Sequence, residues 1–296
     1  MKVLSAGKIT NALISITLLG TVCGASAADK IHTPPVPATA SNIDHVKNAA
    51  SMEIAKHRKT LVKEAVIAND EILHAIFYLE KKDTKRAFDM LGKADGQLNI
   101  LLARAPKLKL APIDVRASIT DIDVSPEKIQ KAVKDAKDAL DDGHIQTART
   151  LLAPLASEMH IDTDYLPLET YPDAIKIASR EIQASKLEDA EATLADALSS
   201  IVTSEEVIPL PPLKAQGDIL KAEKLQKQGK DKQAVLSMLD NADQELADAK
   251  TLGYGSYQQL RKEIASIKNK VDAGSKETDL FEHLKKRFED ILHIKN

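Results

Sequence analysis

The sequence predicts a mainly α-helical protein: antiparallel helical hairpins packed in a globular α-rich domain, with stretches that could form a small β-sheet. Three observations predict it. From Ser41 onward, apolar residues recur at three-, four- and seven-residue steps, the period of one helix face. A hydrophobic residue, then an Ala eight or nine positions on, then an apolar residue four further recur around polar turns: Leu79, Ala87, Leu91; Leu140, Ala148, Leu152; Ile182, Ala190, Leu194; and Leu225, Ala234, Met238. Between helices, segments bounded by proline switch to a period of two. A small Ala at a crossing lets two helices approach closely. The four instances are too unevenly spaced for a solenoid of tetratricopeptide-like repeats, so stacked hairpins are expected.

Composition removes several classes. At 43% hydrophobic, the 296-residue chain is too apolar to be disordered. With 41 basic against 44 acidic residues, it is too evenly charged to grip nucleic acid by counterion release. Its one Cys cannot form an intramolecular disulfide or a Cys-based zinc site.

The elements follow in order. Residues 1–27 read as a cleaved signal peptide: Lys2 and Lys8, an uncharged apolar run Asn11–Val22, then Ala25-Ser26-Ala27. That run is too short to span a membrane, and no later stretch approaches one. Cys23 follows Val22, where a lipoprotein signal requires a small residue, so cleavage after Ala27 is expected. Cleavage removes the only thiol and points to the periplasm. Residues 28–40, with Thr33-Pro-Pro-Val-Pro37, read as a flexible leader. No Gly or Pro interrupts 41–80, which permits one long helix with a stripe from Ile43 through Ile54 and Ala65 to Leu79. Asp83 or Thr84 caps a second helix over 84–104, with Ala87, Leu91, Ala94, Leu98 and Leu102 on its apolar face.

Residues 107–124 alternate, and Pro106 and Pro112 block helix, so an extended segment is expected. Ser125-Pro126-Glu127 opens the next helix with cap and proline in their favoured places. Met159–Leu168 and Glu205–Pro212 also break the helical pattern and could join 107–124 in a sheet. Pro209-Leu-Pro-Pro212 ends a strand and starts a helix. Gly253-Tyr-Gly255 reads as a helix end and turn, followed by helices near 256–272 and 276–294. The domain reading is a helical domain over 41–211 and a C-terminal helical extension over 212–296.

One stretch carries a resemblance. Ile72–Leu101 looks like a first hairpin. Ala117-Ser118-Ile119, Ser125-Pro126-Glu127-Lys128, the Asp142-Gly143 turn with Ala148, Tyr165-Leu166-Pro167-Leu168, the helices of 173–202 and Ser204-Glu205-Glu206-Val207 follow in turn. In this order and spacing, residues from about 64 to 210 resemble the YfdX family of bacterial exported proteins. The departure is at the tyrosine element, where Leu166 alone precedes the proline and the family has a longer insertion. The resemblance implies an exported, mainly helical protein associated with envelope stress, including heat and acid. It brings no catalytic residues.

The residues themselves offer little chemistry. None of the eight His forms a His-x-x-x-His or His-Glu-x-x-His motif. His160, Asp162 and Asp164 alternate as strand ligands would, but read as a polar strand end or turn. There is no Gly-x-Ser-x-Gly and no phosphate-binding signature. A non-enzymatic protein without cofactor or metal is therefore expected. Two places suit a ligand or partner: Tyr165, Leu166 and Pro167, at a junction between hairpins, and the amphipathic face of Leu280, Phe281, Leu284 and Phe288. Lys285-Lys286-Arg287 could touch anionic lipid, but its acidic neighbours Glu282, Glu289 and Asp290 favour packing. The functional expectation is a periplasmic stress-protection protein that binds unfolded proteins or apolar small molecules as a holdase does, as a homo-oligomer. The alternative is a structural or regulatory subunit acting through one fixed envelope partner. No nucleic-acid contact and no membrane span are expected.

Overall fold

Val62 is where the first expectation fails. Instead of one helix over 41–80, α1 (Ala38–Arg58) stops and α2 (Lys63–Glu80) starts anew, because the Val62 N–H donates to the carbonyl of Pro112 at 2.9 Å. A strand carbonyl has claimed a donor that a continuous helix would use. Thr60 Oγ1 donates to the His57 carbonyl at 2.7 Å and helps close α1. These details come from a computed structural model that describes residues 38–122, 126–229, 231–274 and 279–292, with side chains of 38–42 and 279–280 left aside. The expected signal peptide over 1–27, most of the expected leader over 28–40 and the expected Ser125 cap lie outside the described residues.

The remaining elements are α3 (Thr84–Arg104), β1 (Leu110–Thr120), α4 (Pro126–Asp141), α5 (Ile145–Leu152), a 3-10 turn (Ala153–Leu155), β2 (Glu158–Pro167), α6 (Tyr171–Gln183), α7 (Leu187–Ser199), β3 (Val202–Pro209), α8 (Leu210–Lys227), α9 (Lys232–Thr251), α10 (Gln258–Asp272) and α11 (Asp279–Leu292). Eleven α-helices and a three-stranded antiparallel sheet, in the order β1-β2-β3, thus stand among the described residues. The fold is α-rich, as the periodicity indicates.

The helices divide between two cores. Hairpins α2–α3 and α6–α7 pack together as a four-helix bundle, α2 on α7 and α3 on α6. Their crossings bury Leu79, Ala87, Leu91, Ile182, Ala190 and Leu194, two of the four signatures as read. Asp83 caps α3: its carboxylate accepts from the Arg86 N–H at 3.1 Å and from the Arg86 side chain at 2.5 Å. The second core joins α1 and α8–α11 to one face of the sheet, burying Val46, Ile219, Leu239, Ile264 and Phe288 with Val115, Met159, Ile161 and Ile208.

One ribbon serves both cores because of an irregularity in register. Strand β1 pairs Pro112 with Tyr165 and Asp114 with Asp164, leaving Ile113 as an extra residue. Met159 and Ile161 face the second core, while Leu166, of opposite parity, is buried in the bundle. Pro112 is accommodated at this bulge.

The other two signatures differ in detail. Ala148 is buried in the α4–α5 hairpin, with Ala136 and Ala139, but Leu140 and Leu152 are exposed. In α8–α9 the residues Leu225, Ala234 and Met238 are half-buried, and the fully buried set is Ala222, Val235 and Leu239. On α3 Leu101 rather than Leu102 completes the buried stripe.

Candidate functional site

Neither expected binding place presents an open apolar surface. Leu166 is fully buried in the bundle core, and Tyr165 and Pro167 are half-buried on the β2 ribbon, Tyr165 lying between Pro112 and Val202. Phe281, Leu284 and Phe288 are fully buried in the second core, with Leu292, while Ile291 is exposed. The side chain of Leu280 lies outside the described residues. The expectation of an accessible Phe281, Leu284, Phe288 face is thus corrected: an amphipathic helix at the end of the chain spends its apolar side on its own core. The outward side of α11 is ionic. Lys285 reaches Glu223 at 2.9 Å and Glu282 at 2.8 Å, and Arg287 reaches Glu263 at 2.9 Å. A cleft of about 550 Å³ beside it is lined by Leu220, Glu282, His283, Lys285, Lys286 and Glu289.

The solvent face of the sheet is acidic. His160 is in mid-strand rather than in a turn. Its ring bridges Glu205 of β3, 2.6 Å from Nδ1, and Glu158, 3.2 Å from Nε2. Asp164 takes Arg116 and accepts from Thr203 Oγ1 at 2.7 Å. The Arg116 guanidinium beside it lowers the Asp164 pKa. On the other face Glu206 faces His57 of α1 at 3.5 Å. Among the described residues no group of three or more His, Cys, Asp or Glu is arranged to hold a metal ion.

A second polar cluster lies inside the molecule. Helix α8 is buried on every side from Leu210 to Ile219, Lys214 apart, yet it carries Gln216 and Asp218 there. Lys214 Nζ donates to Asp121 at 2.8 Å, and Ser157 Oγ donates to the same carboxylate at 2.8 Å. Glu245 and Asp248 of α9 face this cluster. Burial, with the neighbouring Asp218, Asp248 and Asp121, pushes the Glu245 pKa up to about 7 against the opposing pull of Lys214. Burial also raises Asp248. On another side of α8, His45 of α1 lies 3.3 Å from Gln216 Oε1, and burial lowers the imidazole's pKa. Tyr254, in the turn read as Gly-Tyr-Gly, ties α9 to the sheet: its hydroxyl accepts from the Ser157 N–H at 3.0 Å and donates to Glu158 at 2.8 Å. No sequence signal marks this interior cluster: Lys214 and Asp218, four apart, read as an ordinary solvated helix face.

Residues 68–207 match a family model described as YfdX protein. Over these residues the chain is similar to the YfdX family. A solved structure of Salmonella Typhi YfdX is similar at 16% identity, covering 51% of this chain and 93% of that chain, with a TM-score of 0.35. No curated protein matches.

The matched segment runs from within α2 to within β3, and both of its flanks, α1 before and α8–α11 after, build the second core on its sheet. Within the segment, the α4–α5 hairpin is the least covered part. Ile129, Ala136, Ala139 and Ala148 are its buried residues, while Leu140, Ile145 and Leu152 are 50%, 59% and 42% exposed. Lys128, Lys131, Lys134 and Lys137 line α4 beside them.

Proposed function

We propose that this protein is a non-enzymatic periplasmic stress-protection protein that shields exposed apolar segments of unfolded proteins without nucleotide or metal. The observation that carries this reading is the α4–α5 hairpin, on which Leu140, Ile145 and Leu152 are each about half exposed among the described residues. Such a surface binds apolar segments weakly and with little sequence preference. The export pattern of residues 1–27 and the envelope-stress role implied by the family resemblance support the location and the setting. The same surface would serve a homo-oligomer or one fixed envelope partner.

Light scattering of a heat-unfolded client tests the reading. Suppression at equimolar protein is expected, insensitive to chelator, and weakened when Leu140, Ile145 and Leu152 are all replaced by Ser. No suppression at equimolar protein would reject client shielding in favour of a fixed partner. Suppression lost on adding chelator would establish a metal requirement instead.

A further inference from the structure

Strand β3 is one of the two edges of the sheet, β1 being the other. Strand β3 pairs with β2 from Val202 to Pro209, and its other edge meets no strand among the described residues. Residues 202–207 are all exposed, Val202 and Val207 at 45% each. An open edge presents unpaired N–H and C=O groups to any extended chain. Edges are usually guarded by a lysine, a bulge or an interior proline; β3 has none of these, and its one proline is its last residue.

The charge around this edge is mainly acidic, with Arg116, His160 and, facing Glu206 from α1, His57 set against it. Glu205 points to the solvent face and Glu206 to the core side, since their β2 partners Asp162 and Ile161 do so. Asp162, Asp164, Glu158 and Asp114 add four carboxylates on the solvent face, against Arg116 and the imidazole of His160. A second copy is the wrong occupant. Two β3 strands overlapped antiparallel along their whole length would set Glu205 opposite Glu206 twice, and like charges directly opposite are destabilising. A strand with adjacent basic residues meets the opposite situation: one cation faces Glu205 on one side of the sheet and the next faces Glu206 on the other.

We propose that the free edge of β3 is a docking edge for an extended, basic segment of a partner protein, which adds as a fourth strand with a Lys or Arg pair beside Glu205 and Glu206. Backbone ladder bonds supply the binding, and alternate apolar residues of the guest cover Val202 and Val207. This surface uses residues distinct from those of the α4–α5 hairpin, so its test is independent of the scattering assay.

The test is titration of the full chain with a short peptide of Val and Thr carrying a central Lys pair, read by calorimetry. Four comparison peptides are used: one with Glu in place of Lys, one with the residues scrambled, and two N-methylated at alternate residues, in opposite alternations, to remove the outward or the inward donors. Binding of the Lys peptide is expected to weaken with salt and to fall at least tenfold on N-methylation in one of the two alternations. In the Glu205→Lys, Glu206→Lys variant, with its melting transition checked, preference should turn to the Glu peptide. Equal binding of the N-methylated peptides would overturn strand addition and leave only charge attraction. Equal binding of the Lys and Glu peptides, or none at millimolar peptide, would overturn the proposal altogether.

Discussion

Glu245 gives the molecule a pH dependence with a definite sign. Its carboxyl holds a proton up to about pH 7 in the fold, against 4.5 for an ordinary glutamate. The folded chain binds this proton more tightly than the unfolded chain, so the group's contribution is full below pH 4.5 and is lost as pH rises to 7. Glu245→Gln removes the charge at every pH. It should raise stability by about 1–3 kcal/mol at about pH 8, with the gain vanishing on acidification. Denaturant melts at both ends of the range check this; a gain independent of pH would implicate packing instead. Tyr171 is the second case. Its ring is fully buried in the bundle core and its hydroxyl has no hydrogen-bond partner among the described residues, with burial raising its pKa. Tyr171→Phe should therefore stabilise by about 1 kcal/mol, the cost of a buried unpaired hydroxyl. A loss of that size in the denaturant midpoint would contradict it. Neither residue was legible beforehand. Glu245 lies on a helix whose sequence shows ordinary amphipathic spacing, and its environment is made by Asp121 and Asp218, distant in the chain. In the sequence His160 reads as a strand end or turn; its Glu158 partner is two residues away on the same strand, and its Glu205 partner depends on the register of β2 against β3.

At the scale of elements, the four hairpin turns share one device. Each places a residue in the left-handed region: Gly143 and Gly229, but also Lys82 at φ 56° and Ser185 at φ 62°. A side chain there costs energy that glycine avoids. Lys82→Gly and Ser185→Gly should each stabilise by about 0.5–1 kcal/mol. Gly217 has the opposite sign. A Cβ at this position in α8 would stand 2.9 Å from the His45 ring and 3.1 Å from its Cβ. Gly217→Ala must push α1 off α8 and should cost about 1–3 kcal/mol despite the better helix former. Denaturant midpoints of the three variants check both signs, and a stabilising Gly217→Ala would show that α1 yields freely. The strands and their helix junction were well marked, because Pro106, Pro112 and Pro209 coincide with changes of period. The break at Val62 was not, since its cause is a bond to Pro112 fifty residues on. Nor was the phase of α8–α9: a helix enclosed on all sides has no single stripe from which to read it.

For the whole molecule, the distribution of buried apolar groups sets an order of local stability. The bundle and the second core each hold many large side chains, whereas α4–α5 buries one isoleucine, Ile129, and three alanines among the described residues. Amide exchange should open α4–α5 first and α3 and α8 last. Protection in α5 equal to that in α8 would show that the hairpin is locked to the body. The cover of the sheet has a consequence in time. The chain emerges N-terminus first, α1 before any of the strands it will rest on and α8 only after all three. Met159 and Ile161 therefore stay bare while the chain is still emerging, and α1 has nowhere to dock. The bundle can assemble early from neighbouring hairpins, but sealing the other face waits for the last third of the chain to emerge. The slowest folding step is then the closing of the two ends over the middle, and a chain halted near Pro209 is the aggregation-prone species this protein should produce when its synthesis is interrupted.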